Sequence, residues 1–267
     1  MSTPLTVGQL ERALLARFPA SDAEEWDRTG MLVGDAAAPV TGVAVALDPT
    51  VDAICQTAER GANVLVTHHP LFLDPPTSIA PPAQRGNAVG ARVWEAVARG
   101  VSVLSFHTAL DVSLAGSAVL PRLLGLEPTG VLEVVRRDPD RGYGRIGAPA
   151  DAATVTLGRL AERCRAALAH PPRVWGPEDA PLSRIAVCTG AAGDALERAC
   201  AAGLDAVVAG EVRYHAALDA VSRGLCVIEL GHDISEYPLT SVLVSSLRKI
   251  GIESESLFLL ERADNWR

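Results

Sequence analysis

The chain has 267 residues, of which 48% are hydrophobic, and this is enough apolar material for the core of one large domain or two ordinary ones. Its formal net charge is −8, and no cluster of Lys and Arg is long enough to form a basic surface. These features argue against a nucleic-acid-binding protein, so we expect no nucleic-acid partner.

The sequence also lacks the features of secreted and membrane proteins. The N-terminal segment has no basic region followed by an apolar stretch, and no apolar run approaches the roughly 18 residues of a membrane-spanning helix. Five cysteines lie in apolar stretches without a C-x-x-C pattern: Cys55, Cys164, Cys188, Cys200 and Cys226. Buried free thiols are typical of a reducing compartment, so we expect a cytoplasmic protein with no membrane partner and no cysteine metal ligands.

In the first half of the chain, short apolar segments alternate with helical ones. The predicted strands and helices, in chain order, are Val43–Leu47, Val51–Arg60, Asn63–Thr67, Val89–Arg99 and Val101–Phe106. Asp48 suits the N-cap of the first helix, and Gly61 and Gly100 suit the positions that end the two helices. Strand and helix alternating with short connections predict a parallel α/β sheet.

The second half repeats this order. Its predicted elements are the strand Ile185–Cys188, the helix Asp194–Ala202, the strand Asp205–Ala209, the helix Tyr214–Ser222 and the strand Leu225–Leu230. Val45 and Gly61 match Val187 and Gly203 at one constant offset, which indicates an internal duplication.

We therefore predict an α/β protein with two similar halves, residues 1–130 and 131–267, each a mainly parallel sheet flanked by helices. The segment from about 130 to 181 has Pro/Gly-rich ends and one amphipathic pattern, which predicts a connector with a helix at Thr154–Leu168. A metal site is expected between the halves.

Residues able to bind metal follow several of the predicted strands, where parallel α/β sheets bind their ligands. They are His68, His69, His107, Asp111, Glu211, His232 and Glu236. Imidazole and carboxylate together suit Zn, Fe or Mn. Five of these residues, namely His68, His69, Asp111, His232 and Glu236, meet the needs of two divalent ions, and adjacent histidines can each serve a different ion.

Each residue also has a structural interpretation. Taken alone, His107 is more often a hydrogen-bonded or substrate-facing histidine than a ligand, Asp111 is more often an N-cap, and Glu211 can complement a helix dipole. His170 stands before two prolines in the connector and receives no role.

Several motifs, in order along the chain, carry a family resemblance. They include Glu25-Trp26-Asp27, Thr67-His68-His69-Pro70-Leu71, Leu110-Asp111-Val112, Ala209-Gly210-Glu211 and the Gly231-His232 and Ser235-Glu236 pairs. The chain resembles the dinuclear-metal-centre family of GTP cyclohydrolase I type 2 homologues, also called Nif-three-like proteins.

The resemblance implies two metal ions held by His68, His69, Asp111, His232 and Glu236, with the glutamate able to bridge them. It also implies two similar α/β halves and a toroidal homohexamer. The chain departs from the family pattern at Arg28, Ala109 and Ala209, of which the last two can alter substrate contacts.

The leading hypothesis is metal-assisted hydrolysis of a nucleotide such as GTP or of another phosphate-bearing anion, with His107 and Glu211 as candidates for proton transfer. The alternative is a non-catalytic metal-binding or regulatory protein that acts through its oligomer. A mononuclear zinc hydrolase, with three ligands and one open position, is a third interpretation.

Overall fold

The computed structural model describes residues 4–82, 88–135, 138–151 and 153–262. The chain divides into two compact units, the first comprising Met1–Leu110 with Thr240–Arg267 and the second comprising Asp111–Leu239. Each unit is a mixed α/β structure with helices against its sheet. The halves predicted from the repeat, divided between residues 130 and 131, stay a prediction, as does the internal duplication.

The α-helices, in chain order, are α1 (Val7–Leu15), α2 (Val51–Glu59), α3 (Ala88–Arg99), α4 (Thr108–Asp111), α5 (Leu114–Leu123), α6 (Leu157–Leu168), α7 (Ala195–Ala201), α8 (Tyr214–Ser222), α9 (His232–Glu236) and α10 (Leu239–Ile250). The strands are β1 (Gly30–Val33), β2 (Val43–Ala46), β3 (Val64–Thr67), β4 (Ser102–Ser105), β5 (Leu126–Val134), β6 (Gly142–Pro149), β7 (Val155–Thr156), β8 (Arg173–Trp175), β9 (Pro181–Leu182), β10 (Ile185–Val187), β11 (Ala206–Ala209), β12 (Cys226–Glu229) and β13 (Leu257–Leu259).

The sheet of the first unit has the strand order β1-β4-β3-β2-β13. Four of these strands run parallel, and β1 pairs with β4 in the antiparallel direction. Every residue of β2, β3 and β4 is buried, as expected for parallel strands covered on both faces. Because these three strands run parallel, their carboxyl ends lie at the same edge of the sheet.

The N-cap of the helix after β2 lies two residues beyond the predicted one, although the helix begins at Val51 as predicted. Asp48 was predicted to be the N-cap, but Thr50 has that position, and its Oγ1 accepts a hydrogen bond from N of Ala53 at 3.0 Å. The helix ends as predicted, with Gly61 at φ +71°. The carboxylate of Asp48 is therefore available for another contact, described below.

The sheet of the second unit has the strand order β5-β6-β10-β11-β12-β8. Its centre, β10-β11-β12, is parallel, whereas β5, β6 and β8 pair in the antiparallel direction. A separate two-stranded sheet pairs β7 with β9. The three parallel strands are the ones predicted from the apolar pattern, and their carboxyl ends again share one edge.

The segment predicted to be a connector contains more regular structure than its sequence indicated. The helix predicted at Thr154–Leu168 is confirmed as α6, but β6, β8 and part of β5 lie in the same segment. Leu126 is the one buried residue of β5, and the strand's sequence lacks the apolar enrichment that identified the parallel strands. The strand forms an antiparallel hairpin with β6, in which Leu126 lies opposite Pro149.

None of the helices within the described ranges has the length and apolar character that a bilayer crossing requires. The five cysteines are free thiols. Cys164, Cys188 and Cys226 are buried, and Cys55 and Cys200 are partly exposed. Burial raises the pKa of Cys164 and of Cys188 to about 12, so these two thiols stay protonated at neutral pH.

Candidate metal centre

Three histidines of the first unit follow neighbouring parallel strands. His68 and His69 come directly after β3, and His107 stands two residues after β4. The register pairs Thr67 with Ser105, so the two strands end at the same level. The pairing of β3 with β4 thus brings the three side chains together at the carboxyl ends of the two strands, although His69 and His107 are far apart in sequence.

The imidazole rings of these histidines form a compact cluster, which we call the three-histidine cluster (His68, His69 and His107). The ring centroids are 5.0 Å apart for His68 and His69, 5.1 Å for His68 and His107, and 5.7 Å for His69 and His107. One ring nitrogen of each histidine lies within 4.8 Å of those of the other two. His68 is fully buried, and the other two are partly buried. This group can hold a metal ion.

In each of the three rings Nδ1 faces an oxygen acceptor. Nδ1 of His68 lies 3.2 Å from the carbonyl oxygen of Phe106. Nδ1 of His69 lies 2.8 Å from Oδ1 of Asp48, and Nδ1 of His107 lies 3.1 Å from Oδ1 of Asp27. Because these oxygens accept, Nδ1 donates, and the lone pair of each neutral ring is on Nε2. Metal-binding histidines are oriented in this way by carboxylates and carbonyl groups.

The partner of His107 is itself held firmly. The side chain of Asp27 is fully buried. Its Oδ2 accepts hydrogen bonds from N of Thr108 at 2.9 Å and from Oγ1 of Thr108 at 2.5 Å, and its Oδ1 also accepts from N of Arg28 at 2.7 Å. Burial would raise the pKa of Asp27, but the hydrogen bonds from His107 and Thr108 outweigh it and lower that pKa to about 2. Asp27 is therefore a carboxylate at neutral pH, fixed in place to orient His107.

The second unit presents a histidine between two carboxylates just beyond β12. Nδ1 of His232 lies 3.2 Å from Oε2 of Glu211, and Nε2 of His232 lies 3.1 Å from Oε2 of Glu236. The hydrogen bond with Glu236 is the main reason that the pKa of His232 rises to about 9, with Glu211 adding to the shift and burial opposing it. Since a metal ion binds the neutral imidazole, an ion at Nε2 has to displace a proton.

Gly190 of the second unit makes room for the Glu236 carboxylate. Gly190 has φ +61°, and a Cβ at that position would collide with Oε1 of Glu236 and lie 3.4 Å from Cε1 of His232. N of Gly190 donates to Oγ of Ser235 at 2.9 Å, and that hydroxyl donates to the carbonyl oxygen of His232 at 2.7 Å. The loop after β10 is thus bonded to the short helix α9 that carries the ligand-type side chains.

Asp111 lies beside a cavity within the second unit. Oγ1 of Thr189 is 3.5 Å from Oδ1 of Asp111, at the limit of a hydrogen bond. Asp111, Thr189 and Tyr143 contribute to the lining of the cavity, whose volume is about 190 Å³. The cavity provides space for a small organic group next to a carboxylate.

The fold and these residues can be compared with known proteins. A family model described as Duf34/NIF3 (NGG1p interacting factor 3) matches residues 5–262. The chain belongs to the Duf34/NIF3 family. The resemblance read from the His-His-Pro and Ser-Glu motifs is therefore confirmed.

Relatives within the Duf34/NIF3 family match most of the chain. A Streptomyces coelicolor protein named GTP cyclohydrolase 1 type 2 homolog is 32% identical over 244 residues, which cover 89% of this chain and 84% of the relative. A Clostridium acetobutylicum protein of the same name is 28% identical over 256 residues, 93% of each chain.

Solved structures show that the fold is shared. A Staphylococcus aureus hypothetical protein has a TM-score of 0.85 at 24% identity and covers 99% of both chains. A Bacillus cereus protein related to NIF3 has a TM-score of 0.84 at 20% identity and covers 100% of this chain and 99% of that one. At these identities the likeness concerns the Duf34/NIF3 fold alone.

The histidines and carboxylates at the strand ends could be predicted from the sequence, but the groups that orient two of the histidines were not predicted. Asp27 was noted only as part of a motif and Asp48 only as a helix N-cap, yet both accept a hydrogen bond from a histidine of the cluster. Asp48 follows the buried strand β2, which neighbours β3, and that position was the available signal. The ligand roles of the five predicted residues, and the proton-transfer roles of His107 and Glu211, stay predictions.

Proposed function

We propose that this protein holds two divalent metal ions and uses them to hydrolyse a nucleotide or another phosphate-bearing small molecule. The proposed ligands are His68 and His69 of the first unit and Asp111, His232 and Glu236 of the second. Zn, Fe and Mn suit this mixture of imidazole and carboxylate. The observation that carries the proposal is that Nδ1 of His68, His69 and His232 each faces an oxygen acceptor, which would leave Nε2 as the nitrogen that binds a metal.

The chemistry of the donor set fits a pair of ions. Glu236 has two carboxylate oxygens and is buried, so it can bridge two ions without competition from bulk water. Two carboxylates offset only half of the charge of two divalent ions, and the centre therefore attracts anions although the whole chain has a net charge of −8. When bound, such a pair of ions activates a water molecule and stabilises negative charge that develops in the substrate.

The surrounding residues orient ligands and move protons. Glu211 accepts from Nδ1 of His232 and so fixes that ring, and Asp27 fixes His107 in the same way. We assign proton transfer to His107 and Glu211. The ring of His107 lies next to the proposed ligand His68, and the carboxylate of Glu211 lies next to the proposed ligand His232. The cavity beside Asp111 suits the part of the substrate that does not react.

The substrate class and the setting are part of the same proposal. Relatives named GTP cyclohydrolase 1 type 2 homolog support a nucleotide such as GTP as the first substrate to test. We assign the protein to the cytoplasm because its five cysteines are free thiols. The toroidal homohexamer implied by the family resemblance is its proposed oligomer, which the mass of the native particle in light scattering tests directly.

The deciding experiment is the metal content of anaerobically purified protein. We expect about two ions per wild-type chain, and loss of metal in His68→Ala and in Glu236→Ala, one ligand from each unit. His215→Ala, an exposed histidine on α8, is the matched control and should keep the wild-type content.

The outcomes separate the candidate functions. The hydrolase is supported if the chain binds two ions and either releases phosphate from GTP or opens its guanine ring. Two ions without turnover of any phosphate-bearing substrate favour a metal-binding protein that does not catalyse. A wild-type chain that takes up no metal after reconstitution contradicts the whole proposal.

A further inference from the structure

The three-histidine cluster is complete within the first unit. His68, His69 and His107 come from the ends of two adjacent parallel strands, β3 and β4, and their ring nitrogens lie within 4.8 Å of one another. The proposed dinuclear centre uses His68 and His69 but has no place for His107 as a ligand. The geometry of His107 thus needs its own explanation.

The orientation of His107 matches that of its two neighbours. Each of the three rings donates Nδ1–H to an oxygen of the same unit, from Phe106, Asp48 or Asp27. A histidine that served only to fill space would not need a fully buried carboxylate to select its tautomer. With Nδ1 donating, Nε2 of each ring is the nitrogen that carries the lone pair, and one ring nitrogen of each histidine lies within 4.8 Å of those of the other two, which is the arrangement of ligands around one cation.

The donor set also defines the kind of cation. Three neutral imidazoles with one open position form the ligand set of catalytic zinc sites, whereas Mg²⁺ and Ca²⁺ prefer oxygen ligands. The positive charge has compensation close by, because Asp27 and Asp48 are hydrogen-bonded to two of the rings. A divalent transition-metal ion fits both the ligands and this charge.

We propose that the first unit binds one divalent transition-metal ion by itself through His68, His69 and His107. His107 is a metal ligand in that state, and Asp27 is the residue that positions it. This site shares two ligands with the proposed dinuclear centre but needs none of the residues of the second unit. Proton transfer by His107 then belongs to the dinuclear state, in which two ions are held by the five ligands named above.

The test removes two of the three proposed ligands of the second unit, His232 and Glu236, and asks whether one ion still binds. The full-length double variant His232→Ala/Glu236→Ala is titrated anaerobically with Co²⁺, whose visible absorption reports the number and type of its ligands. We expect one ion per chain, with the intense visible bands of a four-coordinate nitrogen-rich site. Zn²⁺ should displace it in competition.

Further substitutions in the same background assign the ligand. His107→Ala and His107→Gln should each weaken Co²⁺ binding by at least tenfold and change the visible spectrum, while His215→Ala changes neither. Asp27→Asn, which removes the charge that orients His107, should weaken binding by about 10–100-fold. Circular dichroism of each variant establishes that it is folded, and the His107→Gln variant retains a polar side chain if alanine unfolds the protein.

The failures of the two proposals are distinct. If the double variant binds no Co²⁺ while the wild type binds two ions, the first unit has no site of its own and the dinuclear centre stands. If the double variant binds one ion with unchanged affinity and spectrum after His107→Gln, His107 is not a ligand and the inference is overturned. A wild type that binds no metal overturns both.

Discussion

One carboxylate oxygen of Asp205 accepts three hydrogen bonds. N and Oγ of Ser183 lie at 2.7 and 2.8 Å from it, and N of Arg184 lies at 2.8 Å. Asp205 immediately precedes β11, and Ser183 and Arg184 precede β10, so these bonds join the starts of two neighbouring parallel strands. Burial would raise the pKa of Asp205, but the hydrogen bonds outweigh it and lower the pKa below its usual value.

The substitution Asp205→Asn should therefore reduce stability in a pH-dependent manner. At pH 7 we expect a loss of about 1–2 kcal/mol in the free energy of unfolding, because two backbone donors lose a charged acceptor. A lowered pKa in the folded state stabilises above the unfolded value of about 3.9, and this contribution disappears as the pH falls through the lower folded value. Urea unfolding at pH 7 and at pH 3 measures the difference, which should shrink in acid.

An exposed carboxyl of the same unit is the control for Asp205. Asp219→Asn on α8 should change the unfolding free energy by less than about 0.5 kcal/mol at both pH values. If Asp205→Asn lowers the free energy of unfolding as much at pH 3 as at pH 7, the charge of Asp205 is not the cause of the loss.

Single residues also show where sequence reasoning about the site succeeds and where it ends. His68, His69 and His232 could be found because each follows a buried apolar strand or its short extension. The pairing of His107 with Asp27 could not, since the two are 80 positions apart and nothing in either local sequence reports their contact. Contacts of this kind depend on which strands become neighbours, and that is a property of the folded sheet.

At the scale of elements, the loop between β10 and α7 carries two glycines with left-handed backbone. Gly190 has φ +61° and Gly193 has φ +51°. A Cβ at position 190 would collide with the Glu236 carboxylate, whereas a Cβ at position 193 would meet no atom within 4 Å. The two positions therefore share a left-handed backbone that would be strained with any side chain, and they differ only in what that side chain would displace.

This difference makes a matched pair of variants. Gly190→Ala and Gly193→Ala should each lose about 1–2 kcal/mol of stability from the left-handed backbone. Only Gly190→Ala should also weaken metal binding, by tenfold or more, because the collision moves a proposed ligand. Thermal unfolding and metal titration of both variants make the comparison. Equal metal affinity in the two would show that the position of Glu236 does not matter for binding.

The strands differ in how well they could be predicted from the sequence. The strands β2, β3, β4, β11 and β12 were predicted nearly to the residue, because strands buried on both faces are rich in apolar residues. β5 and β6 were missed because both strands are partly exposed and neither contains an unbroken apolar run. The sheet of the second unit consequently has more antiparallel pairs than the repeat alone indicated.

For the whole molecule, the proposed ligands come from both units, so bound metal should stabilise the entire folded chain. An ion at a hundredfold excess over its dissociation constant adds about 2.7 kcal/mol, which corresponds to roughly 5–10 °C in the melting temperature of a chain of this size. Differential scanning calorimetry after chelation, and again after addition of Zn²⁺ or Mn²⁺, tests this. The shift should survive in His215→Ala and be lost in His68→Ala, and identical melting temperatures with and without metal would contradict it.

The route of the chain through the two units has a consequence for synthesis. The chain leaves the first unit after Leu110 and returns at Thr240, and β13 then pairs with β2 through contacts such as Leu257 with Val43. At about 5–20 residues per second, roughly 7–30 seconds pass on the ribosome between the last residue of the first segment and the arrival of β13. Throughout that interval the backbone edge of β2 is open to other strands. The unit that begins first is thus completed last, and the nascent chain depends on its final segment to close the sheet on which the three-histidine cluster stands.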